Sequence, residues 1–268
     1  NRRSRFPARV AWLQLPDENF PRLIVRKGAP IDPSGVIGPI SGGNAIESTL
    51  EAIHDHLPLR QCKPKITDRS IKTAAPCILF EINRCAAPCI GNQSVTAYSE
   101  ITARYKNLLE VDFRDFFNST NQRMVQLSLE EKFEDAISVR DKYAHFNRAA
   151  SRIERLNSIA KLPELIVARP SGEHWEFVSI KYGRLAATNV STPTTSVAAA
   201  LDALQIMAEQ VTDSGFLQQV NHEEVELILN YLTEPGLRLV KVEGEYAFAT
   251  FGPTSQSFRT GRYEFASA

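Results

Sequence analysis

The sequence predicts an α+β protein on three observations. Strand-like apolar segments gather toward both ends, a helical pattern fills the stretch from Ser94 to Lys161, and every cysteine lies in an aperiodic stretch just before it. With 268 residues, 43% of them hydrophobic, the chain can bury cores for two or three compact units. No run of eighteen or more apolar residues occurs, so no membrane-spanning helix is expected. The first residues, Asn1-Arg-Arg-Ser-Arg5, have no apolar region behind them and read as an internal cut in a longer protein, not as a signal peptide. A cytoplasmic protein is expected.

Residues 8–15 and 20–27 read as two strands around the polar turn Pro16-Asp-Glu-Asn19. A loop rich in glycine and proline follows, through Pro30, Pro33, Gly35, Gly38 and Pro39. Asn44 is expected to cap a helix reaching about His56, with Ala45, Ile46, Leu50 and Ile53 on one face. Residues 57–93 show no periodicity and would be unstable in a compact domain without a staple. Ser94 can cap a helix carrying Tyr98, Ile101, Tyr105, Leu108 and Leu109, and a second helical stretch holds Phe113, Phe116, Phe117, Met124 and Leu127. Ser128-Leu-Glu-Glu131 has the form of a capping box. The helix it starts would run to about Lys161, on the order of 50 Å, and needs a partner, most simply the preceding helix as an antiparallel hairpin.

Pro163 stops that helix. Strands are expected at 164–169, 174–182 and 184–191 with a turn at Gly183, then a helix over 195–212 entered through Thr192-Pro193. Asn221 caps another helix to about Thr233, and Leu237–Val242 with Tyr246–Thr250 would form a last hairpin. The predicted divisions are therefore 1–56, a cysteine region 57–93, a helical hairpin 94–162, and a small α/β domain 163–268.

Net charge is zero, but its distribution is uneven. Arg2, Arg3, Arg5, Arg9, Arg22, Arg26 and Lys27 crowd the first thirty residues, and Arg60, Lys63, Lys65, Arg69, Lys72 and Arg84 crowd the cysteine region. Two basic stretches thus flank an acidic helix, a pattern that suits phosphate contacts or ordinary solvated surface.

The cysteines follow Cys62-x14-Cys77-x7-Cys85-x3-Cys89, with none elsewhere. Four soft thiolates suit zinc or an iron–sulfur cluster. Disulfides fit an even count, but ample core and the lack of a secretory signal argue against them. Zinc ligands usually arrive in pairs two to four residues apart, and only Cys85 and Cys89 approach that, so spacing leaves both metals open.

Three motifs then carry a resemblance. Gly38-Pro39, Ala45, Thr49-Leu50 and Leu57-Pro58-Leu59-Arg60-Gln61-Cys62 resemble the GP…A…TL…FPLRxC stretch of UvrC-type nucleases. Pro76-Cys77 through Arg84-Cys85-Ala-Ala-Pro88-Cys89 is similar to that family's second cysteine stretch. Glu131-Lys-Phe133-Glu134-Asp-Ala136 through Arg140-Asp141 resembles its UVR motif. The family comprises the incision nuclease of bacterial nucleotide excision repair and its shorter Cho-like relatives, so the resemblance implies a DNA-repair phosphodiesterase. It implies that Cys62, Cys77, Cys85 and Cys89 hold a [4Fe–4S] cluster, with Zn2+ as the alternative. It also implies that the UVR hairpin docks a UvrB-like protein. Phe133, Ala136, Ile137 and Arg140 are the candidate docking residues, and an exposed Phe133 would favour that role over a core one. Arg60, Lys63 and Arg84 are candidates for DNA contact or for charge balance of an anionic cluster.

Two departures from the family pattern matter. The GIY-YIG tyrosines, arginine and metal-binding glutamate, which would use Mg2+ or Mn2+, are expected upstream of Asn1, whose identity matches the end of that core. The strands at 174–191 look like a remnant of the family's RNase H-like nuclease domain, yet Trp175 through Tyr182 includes no aspartate. Such an ending resembles actinobacterial proteins that fuse a DnaQ-like exonuclease to a GIY-YIG and UVR region. The expectation is that this stretch alone cuts no DNA. The rival is a non-catalytic zinc and UVR adaptor, although such adaptors lack the FPLRxC stretch.

Overall fold

The structure is a computed structural model that describes residues 10–27, 35–71, 74–110, 114–192, 194–212 and 221–246. It divides into one compact unit within residues 1–150 and a second within 151–250. Each combines helices with antiparallel sheet, so the α+β class holds.

In the first unit, β1 (Val10–Gln14) is the central strand, with β2 (Ile24–Arg26) on one side and β3 (Val36–Ser41) on the other. Leu13 stands opposite Val25 in one ladder and opposite Ile37 in the other. The strand β3 replaces part of the expected glycine–proline loop. Five of its six residues are buried, and Pro39, after a cis Gly38-Pro39 bond, is tolerated because β3 is an edge strand. Gly38 has φ +136°, and a Cβ there would lie 3.1 Å from both the Ala11 carbonyl and the Trp12 ring. Here glycine permits close strand approach instead of marking a turn. Residues 28–34 of the expected loop, like residues 8–9, lie outside the described residues.

Helix α1 (Gly43–His56) starts two residues earlier than expected, with Gly42 as its N-cap and no side-chain capping bond, so Asn44 is not the cap. After the cysteine region come α4 (Val95–Glu110), α5 (Arg114–Leu129) and α6 (Phe133–Ala160). Ser94 caps α4 as expected, its hydroxyl accepting from the Ala97 N–H at 3.1 Å. The capping box at Ser128 does not form. Its hydroxyl donates back to the Met124 carbonyl at 2.9 Å inside α5, an alternative open to any serine in a helix. Glu131, with φ 59°, turns the chain, and α6 begins at Phe133. The expected antiparallel hairpin is present: Phe116, early in α5, packs at 5.5 and 4.5 Å between ring centroids on Tyr143 and Phe146, well along α6. Leu13, Ile37, Ile53, Leu57, Leu59, Tyr98 and Tyr105 complete this core.

The second unit is a sheet in the order β6-β5-β4-β7, built from β4 (Glu164–Ser171), β5 (His174–Lys181), β6 (Arg184–Val190) and β7 (Arg238–Glu243). Alternation along β4 serves two cores. Leu165 and Val167 join Leu156, Ile159 and helix α8 (His222–Leu232) on one face; Ile166 and Ala168 join Phe177 and helix α7 (Val197–Met207) on the other. Because Leu156 and Ile159 are fully buried in this core, the unit begins at Ser151, inside α6, and not at Pro163. Ser196 and Asn221 cap α7 and α8. Helix α7 ends at Met207, short of residue 212, where the chain extends and the Glu209 N–H bonds the Ala186 carbonyl of β6 at 3.1 Å. Strand β7 pairs with β4; its expected hairpin partner at 247–250 lies outside the described residues. No described helix is long and apolar enough to cross a membrane.

Candidate metal centre

The cysteine region is anchored at its start and held by backbone bonds at its end. Leu57 and Leu59 are buried, and the chain then passes through α2 (Asp68–Ile71), α3 (Ile78–Glu81) and a 3-10 turn at Pro88–Ile90. Cys77 precedes α3 as its N-cap residue. The Arg84 and Cys85 N–H groups both bond the Leu79 carbonyl, at 2.8 and 3.0 Å, which folds Cys85 back beside α3. Asn83 and Ala87 take left-handed conformations, with φ 58° and 54°. They bend the chain tightly around Cys85 and Cys89. Cys85, Ala87 and Pro88 are buried, whereas Ile78 and Ile82 of α3 are exposed.

All four cysteines are free thiols: Cys85 is buried, Cys62 and Cys89 half-buried, and Cys77 exposed. Burial pushes the Cys85 thiol up; the Ala87 N–H opposes this, and Cys62, Cys77 and Cys89 reinforce it. Cys89 is raised chiefly by burial and then by Cys62 and Cys77, with Arg60 pulling it down. The four sulfurs thus lie within one another's fields. In donor chemistry alone they suit a thiolate-held centre. Among the described residues, however, no three His, Cys, Asp or Glu side chains are arranged to hold a metal ion as they stand.

Arg60 is the residue that sequence reasoning placed least well. It is 2% exposed. Its guanidinium donates to the carbonyls of Phe20, Cys62 and Pro64, approaches the Cys62 Sγ at 3.6 Å, and pairs with Glu18 at 3.2 Å. That environment supports charge balance and not an outward phosphate contact. Lys63 and Arg84 are exposed. Arg84 pairs with Asp55 at 3.0 Å, and Asp55 and Glu51 both pair with Lys142 of α6, at 3.2 and 3.0 Å. A chain of ion pairs therefore ties the cysteine loop through α1 to the helical hairpin.

The docking candidates share one apolar groove of about 230 Å3 on the hairpin. Phe133, Ala136, Ile137 and Arg140 line one side, opposite Met124, Val125 and Ser128 of α5. Phe133 is 59% exposed and Ile137 47%, the condition set above for a docking role. Arg140 pairs with Asp141 at 2.7 Å, the solvated bridge that a charged residue beside this stripe would make.

In the second unit the structure adds a carboxylate that a search for aspartate passes over. Glu164 opens β4, is buried, and accepts from Lys241 at 2.7 Å and Ser179 at 3.2 Å, with Lys181 at 3.7 Å. Burial pushes its carboxyl up, but Lys241 and Lys181 outweigh that and hold it below the ordinary carboxylate value.

Comparison with known proteins converges on the same region. The family of the UvrC/Cho excinuclease middle domain matches residues 10–107. A Mycobacterium tuberculosis protein named as a bifunctional exonuclease/endonuclease is 30% identical over 92% of this chain and 38% of its own length. The UvrABC system protein C of Bacteroides fragilis is 29% identical over 61% of this chain and 27% of its own. That of Clostridium acetobutylicum is 32% identical over 47% and 20%. The chain thus spans well under half the length of these relatives. No solved structure matches. From the first described strand through most of α4, and with all four cysteines inside that span, residues 10–107 match the family of the UvrC/Cho excinuclease middle domain.

Proposed function

We propose that this chain is the cluster-binding, DNA-contacting and partner-docking portion of a UvrC/Cho-like DNA repair endonuclease that works in nucleotide excision repair. The observation that carries the reading is the set of four free thiols, with Cys62 beside a buried arginine, inside the span matched by the excinuclease family. Cys62, Cys77, Cys85 and Cys89 would hold a [4Fe–4S] cluster, which supplies a structural staple with redox chemistry. Arg60 offsets its negative charge, and ordering of residues 57–93 is coupled to ligation. Lys63 and Arg84 contact phosphates along the DNA, and Arg60 is left out of that set because it is buried. The apolar groove around Phe133 and Ile137 receives a UvrB-like protein.

Incision belongs to a nuclease core that uses Mg2+ or Mn2+, and residues 1–268 cut nothing on their own. The carboxylates placed here support that. Glu18 is engaged by Arg60, Glu51 and Asp55 by Lys142 and Arg84, and Glu164 by two lysines.

Iron and sulfide analysis after anaerobic purification tests the cluster: brown protein is expected, and Cys85→Ser should lose the iron. Stoichiometric zinc without iron would replace this reading with the zinc and UVR adaptor. For DNA, replacing Lys63 and Arg84 with alanine should lower affinity at every sequence and flatten its dependence on salt by about two phosphate contacts. Metal-dependent nicking that disappears on mutating a carboxylate of this chain would overturn the assignment of incision elsewhere.

A further inference from the structure

We infer that the cleft between α1 and the α5–α6 hairpin seats a phosphate of the DNA backbone, and that Asp55 fills this seat when no DNA is bound; this rests on the DNA-contacting reading above. The cleft measures about 440 Å3 and lies wholly within the first unit. Three cations from three elements line it: Arg84 of the cysteine loop, Arg123 of α5 and Lys142 of α6. Asp55, next to the end of α1, holds two of them together. One of its carboxylate oxygens takes Arg84 at 3.0 Å and the other takes Lys142 at 3.2 Å. A backbone phosphodiester carries the same single charge and the same two free oxygens.

The other polar groups narrow the choice of donor. The Ser119 and Thr120 hydroxyls already donate to the Phe116 carbonyl, at 3.0 and 2.7 Å. His56 is committed to the Ser119 oxygen through Nδ1 at 3.1 Å. Arg123 is exposed, and its one hydrogen bond among the described residues is a 3.5 Å contact with Gln126 of its own helix. The lining also includes Asp135, so its charge excess is small, and Asp55 is what keeps it small. Exchanging Asp55 for a phosphate is cheap. The Arg84 and Asp55 side chains are 54% and 31% exposed, and a solvent-screened pair of this kind is worth at most about a fivefold factor. Lys142 keeps Glu51 at 3.0 Å, which holds its ammonium at the cleft when Asp55 withdraws. The incoming phosphate also releases counterions from the DNA, a gain that Asp55 does not offer.

Asp55 and Arg123 therefore carry opposite expectations for the full chain binding a labelled duplex oligonucleotide, followed by fluorescence anisotropy. Asp55→Asn should bind about two- to fivefold more tightly than wild type, because both cations are released. Arg123→Ala should bind about eightfold more weakly at 0.1 M salt and lose about one unit from the slope of log K against log salt. Lys63 does not line the cleft, so Lys63→Ala reports on DNA contact by the cysteine loop alone. If Lys63→Ala weakens binding while Asp55→Asn and Arg123→Ala keep the wild-type affinity and slope, the cleft inference falls and the DNA reading stands. Weaker binding by Asp55→Asn would make Asp55 a structural latch and overturn the inference as well. Saturable binding of inorganic phosphate that depends on Arg123, with no such dependence for duplex, would mark a small-anion site and overturn the assignment to DNA. A wild-type chain without affinity for duplex removes the DNA reading itself, and this inference with it.

Discussion

Tyr98 offers the most direct test of how the cysteine region is fastened to its core. The residue is fully buried, and its ring meets Phe20 edge-on at 5.4 Å. Its hydroxyl accepts from the Arg60 N–H at 2.9 Å and donates to the Pro21 carbonyl at 2.6 Å. Burial pushes its pKa up to about 12, so the proton that Pro21 receives stays in place across the working pH range. Tyr98→Phe keeps the ring packing and deletes only the oxygen. One buried donor and one buried acceptor then lose their partner. Two hydrogen bonds at about 1 kcal/mol each, plus the desolvation of an orphaned N–H, come to roughly 2–4 kcal/mol. Tyr105→Phe is the control, since that hydroxyl makes one longer bond, 3.2 Å to the Gly35 carbonyl, and should cost about 1 kcal/mol. Urea unfolding followed by the emission of Trp12, buried in β1, reads the first unit if Trp175 is first changed to Phe. A Tyr98→Phe protein within about 0.5 kcal/mol of wild type would refute the argument that this hydroxyl bridges the two segments.

His54 links stability to pH. Burial, its largest influence, lowers its pKa from 6.5 to about 4 in the fold, so the unfolded chain binds the extra proton first. Its contribution is present above about pH 6.5 and is lost as pH falls toward 4, by on the order of 2–3 kcal/mol. His54→Gln should flatten the profile in that window, and an unchanged slope would count against it. Phe133→Ala should leave stability within about 0.5 kcal/mol, because the ring is mostly exposed, while weakening a UvrB-like partner about tenfold or more. A large loss of stability with unchanged binding in titration calorimetry would mark Phe133 as core.

Much of this architecture was legible from periodicity. The α5–α6 hairpin, the three strands on either side of Gly183 and the caps at Ser94 and Asn221 follow from apolar spacing and short polar side chains, which act locally. What escaped depends on distant partners. Strand β3 hides behind Gly38 and Pro39, which look like punctuation unless the ring of Trp12 is known to lie against them. Ser128 satisfies the letter of a capping box but sits one residue before the end of the preceding helix, where its hydroxyl finds Met124. Arg60 looks like any member of a basic stretch. Only the approach of Phe20 and Glu18, some forty residues away in sequence, makes it an interior residue. At the centre itself, sequence spacing picks out the four thiols and their neighbourhood, while the field around them comes from residues that no local pattern marks.

The loop from Cys77 to Cys89 is shaped mainly by its own amides and left-handed turns; Cys85, Ala87 and Pro88 are buried, but its first turn, with Ile78 and Ile82 exposed, has little apolar packing. Its stability is consequently local, and it can open while the core around Tyr105 and Phe146 stays shut. Chains in which this loop has opened would then pass as sound by circular dichroism, by gel filtration and by melting temperature alike. Bulk folding assays are blind to this defect. Proteolysis near Cys77, or amide exchange confined to residues 77–92, would separate competent molecules from spent ones in the same tube.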